Sequence, residues 1–509
     1  MCRRTWAREL VAFTLLLLIA SACAAKDEKN AGKVVADVAR AMGAASVKTI
    51  QYSGTSGYTY TFGGQCNAFD PWPRYTILTY TRLLDYDKNA SMDDASWTQD
   101  YTRPPCGAGY QPLIGAIHEK AFLSGNYAWS FGGPTRSADL PPTPSAGAVE
   151  LRQLQMVLTP YGWVKAAMAA NPTMETKTVD GKPMTVVSFT WKDKFKVNGY
   201  INSENLLDRV ETWVNSDILG DMALEATYSD YKDFSGVKFP MRIVQSEAGF
   251  PMLEVNVSDV RPNAPDNIQV PDAIQSRWQA TPPPVRIQTA KVANGVWALM
   301  SGTQTAVVEF KDFLVLYEAP TGEERSLAAI EEAKRLAPNK PIRYIINSHH
   351  HLDHTGGLRT YVAEGSTVVT QAMNVPYYDQ IFQLPHTLKP DLLSKNPKQA
   401  KYLAVVQKAE ITDGDRTLEI HLLQDQIHSP DMLVAYLPKE RILIQCDDFN
   451  VFPEPETGPI TLMHLKQNLV DNIQRLGLDV QQIITMHNGN TPGAAPISEL
   501  YRQIREVGP

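Results

Sequence analysis

A short histidine-rich segment constrains this chain more than any other feature. Residues 347–357 read NSHHHLDHTGG, which spaces three histidines and one aspartate as HxHxDH. The segment follows a buried strand, predicted over Ile342–Asn347, and precedes a Gly-Gly pair that starts a helix. Such a loop at the carboxyl end of a strand is where α/β proteins commonly bind ligands. The spaced side chains are those of His349, His351, Asp353 and His354.

The residue types in this loop indicate a metal site. Imidazole and carboxylate groups are good zinc ligands. Neighbouring side chains in a tight turn diverge, so we expect His349 and His351 to hold one ion while Asp353 and His354 reach a second. His350 is expected to point away, since its neighbours face the metals. Two ions a few ångströms apart can share a hydroxide, which makes the loop the candidate core of a dinuclear site.

The same segment resembles the HxHxDH signature of the metallo-β-lactamase superfamily, over about residues 285–509. The resemblance implies an αββα sandwich with a dinuclear zinc site at its edge. The family's later histidine is matched by His428 in HSPD before MLVAYLP, and its last histidine by His487 in IITMHNG. Its bridging acid is matched by Asp447 in ILIQCDDF, with Asp448 as a competing candidate.

Four further residues are candidates for supporting the ligands or contacting the substrate. Glu318 ends LVLYEAP, where the family often has an aspartate, and Asn488 stands where the family usually has a glycine. Tyr377 and Tyr378 lie in an unusually long insert, residues 374–409, which is either a surface excursion or a lid over the substrate. The other histidines are expected to be packing or surface residues: His421 on a strand, His464 on a helix and His118 in the first domain.

The chain before residue 262 follows a different pattern. Short runs rich in Val, Ile, Thr and aromatic residues, separated by Gly, Asn and Asp, predict a mainly antiparallel β domain over residues 26–262. Helices are expected over residues 33–49 and Val149–Ala170. The predicted strands include Tyr58–Phe62, Tyr75–Arg82, Thr185–Trp191, Phe195–Asn202, Val210–Val214 and Met252–Val257.

The late part of this β domain, from YSDYKDFSGVKFP to LEVNVSDVRPNAP, weakly resembles the half-barrel domains of periplasmic lipoprotein-carrier proteins. The resemblance implies a domain that binds a lipid or a substrate tail. The alternative is a structural β domain that packs on the enzyme. A Pro-rich linker, residues 263–284, separates it from the catalytic domain predicted over residues 285–509.

The catalytic domain alternates strand and helix patterns, which indicates a layered α/β fold. Val292–Met300 and Thr305–Leu316 are predicted strands, and Arg325–Leu336 has apolar residues at helical spacing.

Residues 1–25 are typical of a signal peptide. A basic front is followed by the apolar run Leu10–Ala20, which is too short to cross a bilayer, and then by small residues. We therefore expect a periplasmic or secreted protein, with a lipid anchor on Cys23 as a second possibility. In an oxidising compartment Cys66 and Cys106 form a disulfide or remain unpaired thiols.

The bulk composition narrows the function. The chain of 509 residues has a formal net charge of −7, which argues against nucleic acid as the main partner. The residues favour an exported dinuclear zinc hydrolase that acts on a small molecule, in which a metal-bridged hydroxide, oriented by Asp353, attacks an ester, lactone, β-lactam or similar bond. One alternative is an iron-dependent oxygenase on the same fold with His349, His428 and Asp447 as ligands. Another is an envelope lipid-binding protein with a secondary metal site. The oligomeric state stays open.

Overall fold

The structure is a computed structural model. It describes residues 30–60, 69, 72, 74–100, 115–133, 137–179, 181–280, 283–451, 459–488 and 491–506. The predicted signal segment with Cys23, and the pair Cys66 and Cys106, lie outside the described residues. Among the described residues, no helix combines the length and the apolar character needed to cross a membrane.

The first region, residues 30–262, is built on one large antiparallel sheet. Its strands are β1 Thr49–Tyr60, β2 Arg74–Asp85, β3 Ala90–Gln99, β4 Ile117–Ser124, β5 Tyr127–Gly132, β6 Thr143–Pro144, β7 Thr173–Val179, β8 Lys182–Trp191, β9 Phe195–Ile201, β10 Leu207–Ser216, β11 Gly220–Asp233, β12 Lys238–Glu247 and β13 Phe250–Pro262. Within the described residues they form a thirteen-stranded sheet in the order β6-β5-β4-β3-β2-β1-β13-β12-β11-β10-β9-β8-β7. This confirms the predicted mainly antiparallel architecture.

Helices cover part of this sheet. They are α1 (residues 30–42), the 3-10 turns Ala44–Ser46 and Ala146–Ala148, α2 Val149–Val157 and α3 Pro160–Ala169. The first predicted helix, residues 33–49, begins three residues too late and ends seven residues too late, because α1 spans residues 30–42. The second is divided, because Thr159 caps a new helix with Pro160 in its first turn. Trp163 packs directly on β9, where a Cβ at Gly199 would lie 2.2 Å from the indole.

Between Pro262 and Gln288, the described residues contain a single regular element, the short helix α4 Asp272–Gln275. This segment contains the predicted Pro-rich linker, residues 263–284. The exact domain boundaries remain a prediction.

The C-terminal region, residues 288–506, contains two sheets. The strands of the first are β14 Gln288–Ala293, β15 Val296–Ser301, β16 Thr303–Glu309, β17 Leu314–Tyr317, β18 Ile342–Ile346, β19 Thr367–Gln371 and β20 Lys401–Val405, in that order. The strands of the second are β21 Lys408–Thr412, β22 Thr417–Leu422, β23 Leu433–Leu437, β24 Ile442–Gln445, β25 Gln482–Thr485 and β26 Ala495–Pro496. Strands β17 to β20 run parallel, as do β24 and β25.

Helices complete a four-layer arrangement. They are α5 Glu323–Leu336, α6 Leu352–Thr355, α7 Leu358–Glu364, the 3-10 turn Ala372–Asn374, α8 Val375–Phe382, α9 Leu392–Lys395, α10 Pro459–Leu476 and α11 Ile497–Glu506. One apolar core joins both sheets with side chains of α10 and α11, and a second joins the first sheet with α5, α7 and α8. The predicted αββα sandwich is therefore confirmed.

Three predicted segments of this region are corrected. The strand expected over Val292–Met300 is a hairpin, because Asn294-Gly295 forms a turn with Gly295 at φ 71°. The strand expected over Thr305–Leu316 is likewise two strands, β16 and β17. The insert expected over residues 374–409 ends earlier, because β20 extends the first sheet from Lys401 onward.

Candidate metal centre

Seven side chains from distant parts of the sequence converge beyond the carboxyl ends of β18, β24 and β25. They form two groups, and within each group one ligand atom per residue lies within 4.8 Å of the others. The first group consists of His349, His351, His428 and Asp447; the second consists of Asp353, His354 and His487. The structure thus brings together all seven residues singled out as metal ligands from the sequence.

Asp447 lies between the two groups. Its Oδ2 is 2.7 Å from Nε2 of His428, and its Oδ1 is 3.1 Å from Nε2 of His354 and 3.0 Å from Nε2 of His487. One carboxylate oxygen therefore faces each group, as a bridging acid requires. The competing candidate, Asp448, belongs to neither group and instead accepts a hydrogen bond from Gln426.

The two groups differ in their electrostatics. Burial, together with the neighbouring imidazoles, holds the pKa of His349 and His351 well below the usual value, so both rings are neutral. Burial is the largest single influence on His354 and His487 and acts to lower their pKa, but the neighbouring carboxylates, Asp447 foremost and Asp353 with it, together outweigh burial and raise both. The surrounding imidazoles in turn hold the pKa of Asp447 well below its usual range, although burial acts to raise it.

The donor set fits transition-metal ions. Nε2 of His351 is buried and has no hydrogen-bond partner among the described residues, although a buried imidazole nitrogen is normally hydrogen-bonded. Nε2 of His349 and Nε2 of His428 lie 3.3 Å apart and both face the Asp447 carboxylate. Nitrogen and carboxylate ligands converging in this way match zinc sites, in which histidine and aspartate are usual ligands.

Comparison with known proteins agrees with this geometry. Residues 301–464 match the family model described as the metallo-beta-lactamase superfamily. The C-terminal region has the metallo-β-lactamase fold.

Solved structures with a similar fold have low sequence identity to this chain. A metallo-β-lactamase from Pontibacter korlensis is 18% identical, with 43% of this chain and 98% of that chain covered at a TM-score of 0.31. The metallo-β-lactamase FIM-1 from Pseudomonas aeruginosa, in its mono-zinc form, is 19% identical, with 44% and 96% covered at a TM-score of 0.33. A sec-alkylsulfatase from Pseudomonas sp. is 17% identical, with 43% and 41% covered at a TM-score of 0.31. Among curated protein sequences, none matches the chain.

Within the metallo-β-lactamase fold, Glu318 supports both ligand groups from behind. It follows β17 in a left-handed conformation, with φ 77°. One of its carboxylate oxygens accepts a hydrogen bond from the backbone N–H of Ser348 at 2.8 Å, and the other lies 3.1 Å from Nδ1 of His354. Ser348 in turn places its Oγ 2.8 Å from Nδ1 of His349. Contacts of this kind fix the ring orientation of metal-binding histidines.

A second buried carboxylate, Asp431, was not singled out from the sequence. Its Oδ2 accepts a hydrogen bond from the backbone N–H of His350 at 2.9 Å and another from Nδ2 of Asn374 at 2.7 Å. Nδ1 of His350 also lies 3.0 Å from it, and His350 belongs to neither ligand group. The signal that could have revealed Asp431 is the HSPD motif that also carries His428.

The remaining candidates lie outside the two ligand groups. The Tyr378 hydroxyl donates a hydrogen bond to the side chain of Asn347, and the Tyr377 ring lies 6.3 Å from that of His350. Both tyrosines are buried in the metallo-β-lactamase region, so this part of the insert is not a surface excursion. Asn488 donates a hydrogen bond to the carbonyl oxygen of Thr491. His421 lies on β22, His464 on α10 and His118 on β4, as expected.

Proposed function

We propose that this protein is a dinuclear zinc hydrolase that cleaves an ester, lactone, β-lactam or similar bond of a small molecule. The observation that carries the proposal is the position of Asp447, which presents one carboxylate oxygen to each of two histidine-containing groups. Zinc held there would lower the pKa of water to about 7 and act as a Lewis acid toward a substrate carbonyl.

The residues of the chain divide the remaining work. Neutral His349 and His351 offer nitrogen lone pairs without first having to lose a proton. Asp353 belongs to the second group, with its Oδ2 3.4 Å from Nε2 of His354, and its side chain is 46% exposed. A half-exposed carboxylate beside the ligands can hold a reacting water and exchange a proton with solvent.

The decisive experiment combines metal analysis of the full-length protein with a panel of nitrocefin, lactone, aryl-ester and aryl-sulfate substrates. We expect about two zinc ions per chain, inactivation by a chelator and recovery with added zinc. A protein that purifies with iron and consumes oxygen is instead an oxygenase on the same fold. A metal-free protein with no hydrolytic activity contradicts the proposal.

The role of Asp353 is tested separately with Asp353→Ala. We expect turnover to fall by ~10²-fold or more, because the variant lacks the carboxylate that orients the water and moves its proton. Asp312→Ala, an exposed aspartate of the same region, is the matched control and keeps wild-type turnover. Wild-type turnover in Asp353→Ala, with both metals bound, contradicts the role.

Export is the second part of the proposal, supported by the basic front, short apolar run and small residues of segment 1–25. We propose a periplasmic or secreted protein, with an anchor on Cys23 as the variant to test. Fractionation of cells that express the full-length chain tests export, and incorporation of labelled lipid that is lost in Cys23→Ser tests the anchor.

The first region carries a second candidate function, the binding of an apolar ligand. A cavity of about 510 Å³ lies against the sheet of that region, a volume within the usual range for small-molecule sites. Its apolar lining is drawn from α2, β9, β10, β11 and one residue of the C-terminal region: Leu151, Leu154, Phe195, Trp213, Val214, Met222, Leu224 and Leu388. This site would serve an envelope lipid or the apolar tail of a substrate.

Filling the cavity tests this candidate. Leu224→Trp should abolish binding of a fluorescent fatty acid by the full-length protein, because the larger side chain occupies the cavity. Leu78→Trp, at a 43% exposed position of the same sheet outside the cavity, is the control and should bind like the wild type. Equal binding by both variants and the wild type excludes the cavity as the site.

A further inference from the structure

The turn between β10 and β11 reaches from the first region into the C-terminal region. We define residues 216–221 as the hairpin tip. Ile218 and Leu219 of the tip are buried in the same apolar core as residues of β15, β17 and β18. The sheet of the first region is therefore anchored in the fold that carries the metal-ligand groups.

The hairpin tip holds one segment of the insert, residues 383–391, which we call the strap. The Asp221 carboxylate accepts hydrogen bonds from the backbone N–H of Thr387 at 3.0 Å and of Leu388 at 2.9 Å, and a third from the Thr387 hydroxyl. The backbone N–H of Asp221 donates to the carbonyl oxygen of Pro385 at 2.8 Å. At Gly220, with φ 64°, a Cβ would lie 2.0 Å from that oxygen, so the close approach requires glycine.

We call residues 347–357 the metal loop. The strap is bonded in turn to α7, the helix that follows this loop. Arg359, in the first turn of α7, pairs with Asp391 at the end of the strap, with Nη2 3.0 Å from Oδ1. Its Nη1 donates to the carbonyl oxygen of Phe382 at 2.9 Å, just before the strap begins. Arg359 follows Gly357 by two positions, so the strap is fixed beside the exit of the metal loop.

The hairpin tip also contacts the loop of residues 318–322, which is hydrogen-bonded to the backbone of Asp353. A Cβ at Gly322 would lie 2.6 Å from Oδ2 of Asp217, so the tip and this loop are in close contact. In the same loop, the backbone N–H of Thr321 donates to the carbonyl oxygen of Asp353 at 3.1 Å. Thr321 and Glu318 both have left-handed backbone angles, φ 65° and 77°. Strained residues of this kind persist only where their surroundings hold them.

Asp217, Arg359 and Asp391 also line one small cavity together with Gly356 of the metal loop. Its volume of about 20 Å³ is close to that of a single water. The tip, the strap and the metal loop therefore meet at one point with little free space between them.

We infer that the hairpin tip of the first region positions the second ligand group, because it holds the strap through Asp221 and packs its Asp217 against Gly322 in the loop of Thr321. The inference rests on the proposed function, since it takes Asp353, His354 and His487 to be metal ligands. The first region is then part of the catalytic machinery's support. Asp221 is a positioning residue, because it does not contact the ligands themselves.

The test compares Asp221→Ala and Asp221→Asn with a matched control in the full-length protein. The control is Asp233→Ala, which removes a carboxylate that accepts a hydrogen bond from Gly236 at 2.8 Å in the next turn of the same sheet. The measured quantities are the affinities of the two ligand groups for zinc, from competition with a chelator. Hydrogen exchange of peptides that cover residues 318–322 and 352–357 is measured alongside.

We expect Asp221→Ala to weaken binding of the second zinc by about tenfold or more, the size of effect found for groups that orient metal ligands. Zinc binding by the first ligand group should be unchanged, and hydrogen exchange should rise in both peptides. Asp221→Asn keeps one acceptor oxygen and should restore part of the affinity, while Asp233→Ala matches the wild type.

Four outcomes overturn the inference. If Asp221→Ala binds both zinc ions as tightly as the wild type, the tip does not position the group, and the proposed function still stands. The inference also fails, while the proposed function stands, if Asp233→Ala weakens zinc binding by the second group equally. It fails likewise if Asp221→Ala weakens zinc binding by both groups equally. In either case the effect is general destabilisation. A wild-type protein that binds no zinc overturns the proposed function and this inference together.

Discussion

The two ligand groups lie side by side but are built in opposite ways. In the first group, the side chains of His349 and His428 are 0% and 4% exposed, whereas in the second those of His487 and Asp353 are 33% and 46% exposed. The first group is a part of the protein core. The second opens to solvent through His487 and Asp353, while its His354 is buried.

The difference extends to charge. In the first group, His349 and His351 have a pKa well below the usual value, because burial and neighbouring imidazoles lower it. The histidines of the second group carry a raised pKa because they face Asp447. A metal ion entering the second group must displace protons, which weakens its apparent affinity. We therefore expect the first group to bind the tighter ion and the second to bind the exchangeable one.

The largest effect is expected from Asp447→Ala, which removes the carboxylate that lies between the two groups. Because Asp447 belongs to the first group and also faces the second, both ions should be lost and activity should fall by ~10³-fold or more, as when a catalytic unit is dismantled. Zinc content and turnover of the purified variant measure this. Asp448→Asn is the matched control, since Asp448 is the neighbouring buried carboxylate, faces Gln426 and belongs to neither group. Retention of two ions by Asp447→Ala contradicts the bridging role.

Single histidine variants separate the groups. His487→Ala should keep one tightly bound ion, because it leaves His349, His351 and His428 intact in the core. His351→Ala should instead weaken the tight ion. Chelator titrations of the two variants, followed by zinc analysis, distinguish these outcomes. If His487→Ala loses both ions, the two groups do not bind metal independently.

The sequence pointed to the residues of both ligand groups in two steps. The HxHxDH spacing gave four of the seven, and the resemblance to the metallo-β-lactamase superfamily gave the other three: His428 before β23, Asp447 after β24 and His487 after β25. The alternation of strand and helix patterns predicted a layered α/β fold, and the resemblance to the family implied its αββα sandwich. Asn294-Gly295 also carried a hairpin signal, so the division into β14 and β15 was predictable from the sequence.

What could not be predicted depends on contacts between distant residues. The hydrogen bonds of Asp431 with His350 and Asn374, and of Asp221 with Thr387, join positions that are far apart in the sequence. No local pattern encodes such pairs. The burial of Tyr377 and Tyr378 has the same origin, because it depends on where the insert packs rather than on its own composition.

Glu318→Gln tests how the second group is supported. The amide can still accept a hydrogen bond from the N–H of Ser348, but it no longer places a negative charge beside Nδ1 of His354. We expect zinc affinity of the second group to fall by roughly 10–100-fold, with little change in the first. Glu309→Gln, which loses an ion pair with Lys340 at 2.7 Å in the same sheet, is the control. An equal loss at both groups would show that the charge of Glu318 does not act on the second group in particular.

The smallest expected effect is the pH dependence of zinc binding, which tests the charge difference between the two ligand groups. The pKa of His354 is raised well above the usual histidine value and that of His487 is also raised, so the second group keeps its protons to a higher pH than His349 and His351 do. Affinity of the second group should therefore rise with pH, by about tenfold per unit for each proton displaced, until the pH exceeds those raised values. The pKa values of His349 and His351 lie well below the usual histidine value, so the first group should show little change across the same range. Chelator competition at about pH 6, 7 and 8 measures both slopes. Equal slopes would mean that the two groups lose the same number of protons, which would remove the electrostatic difference between them.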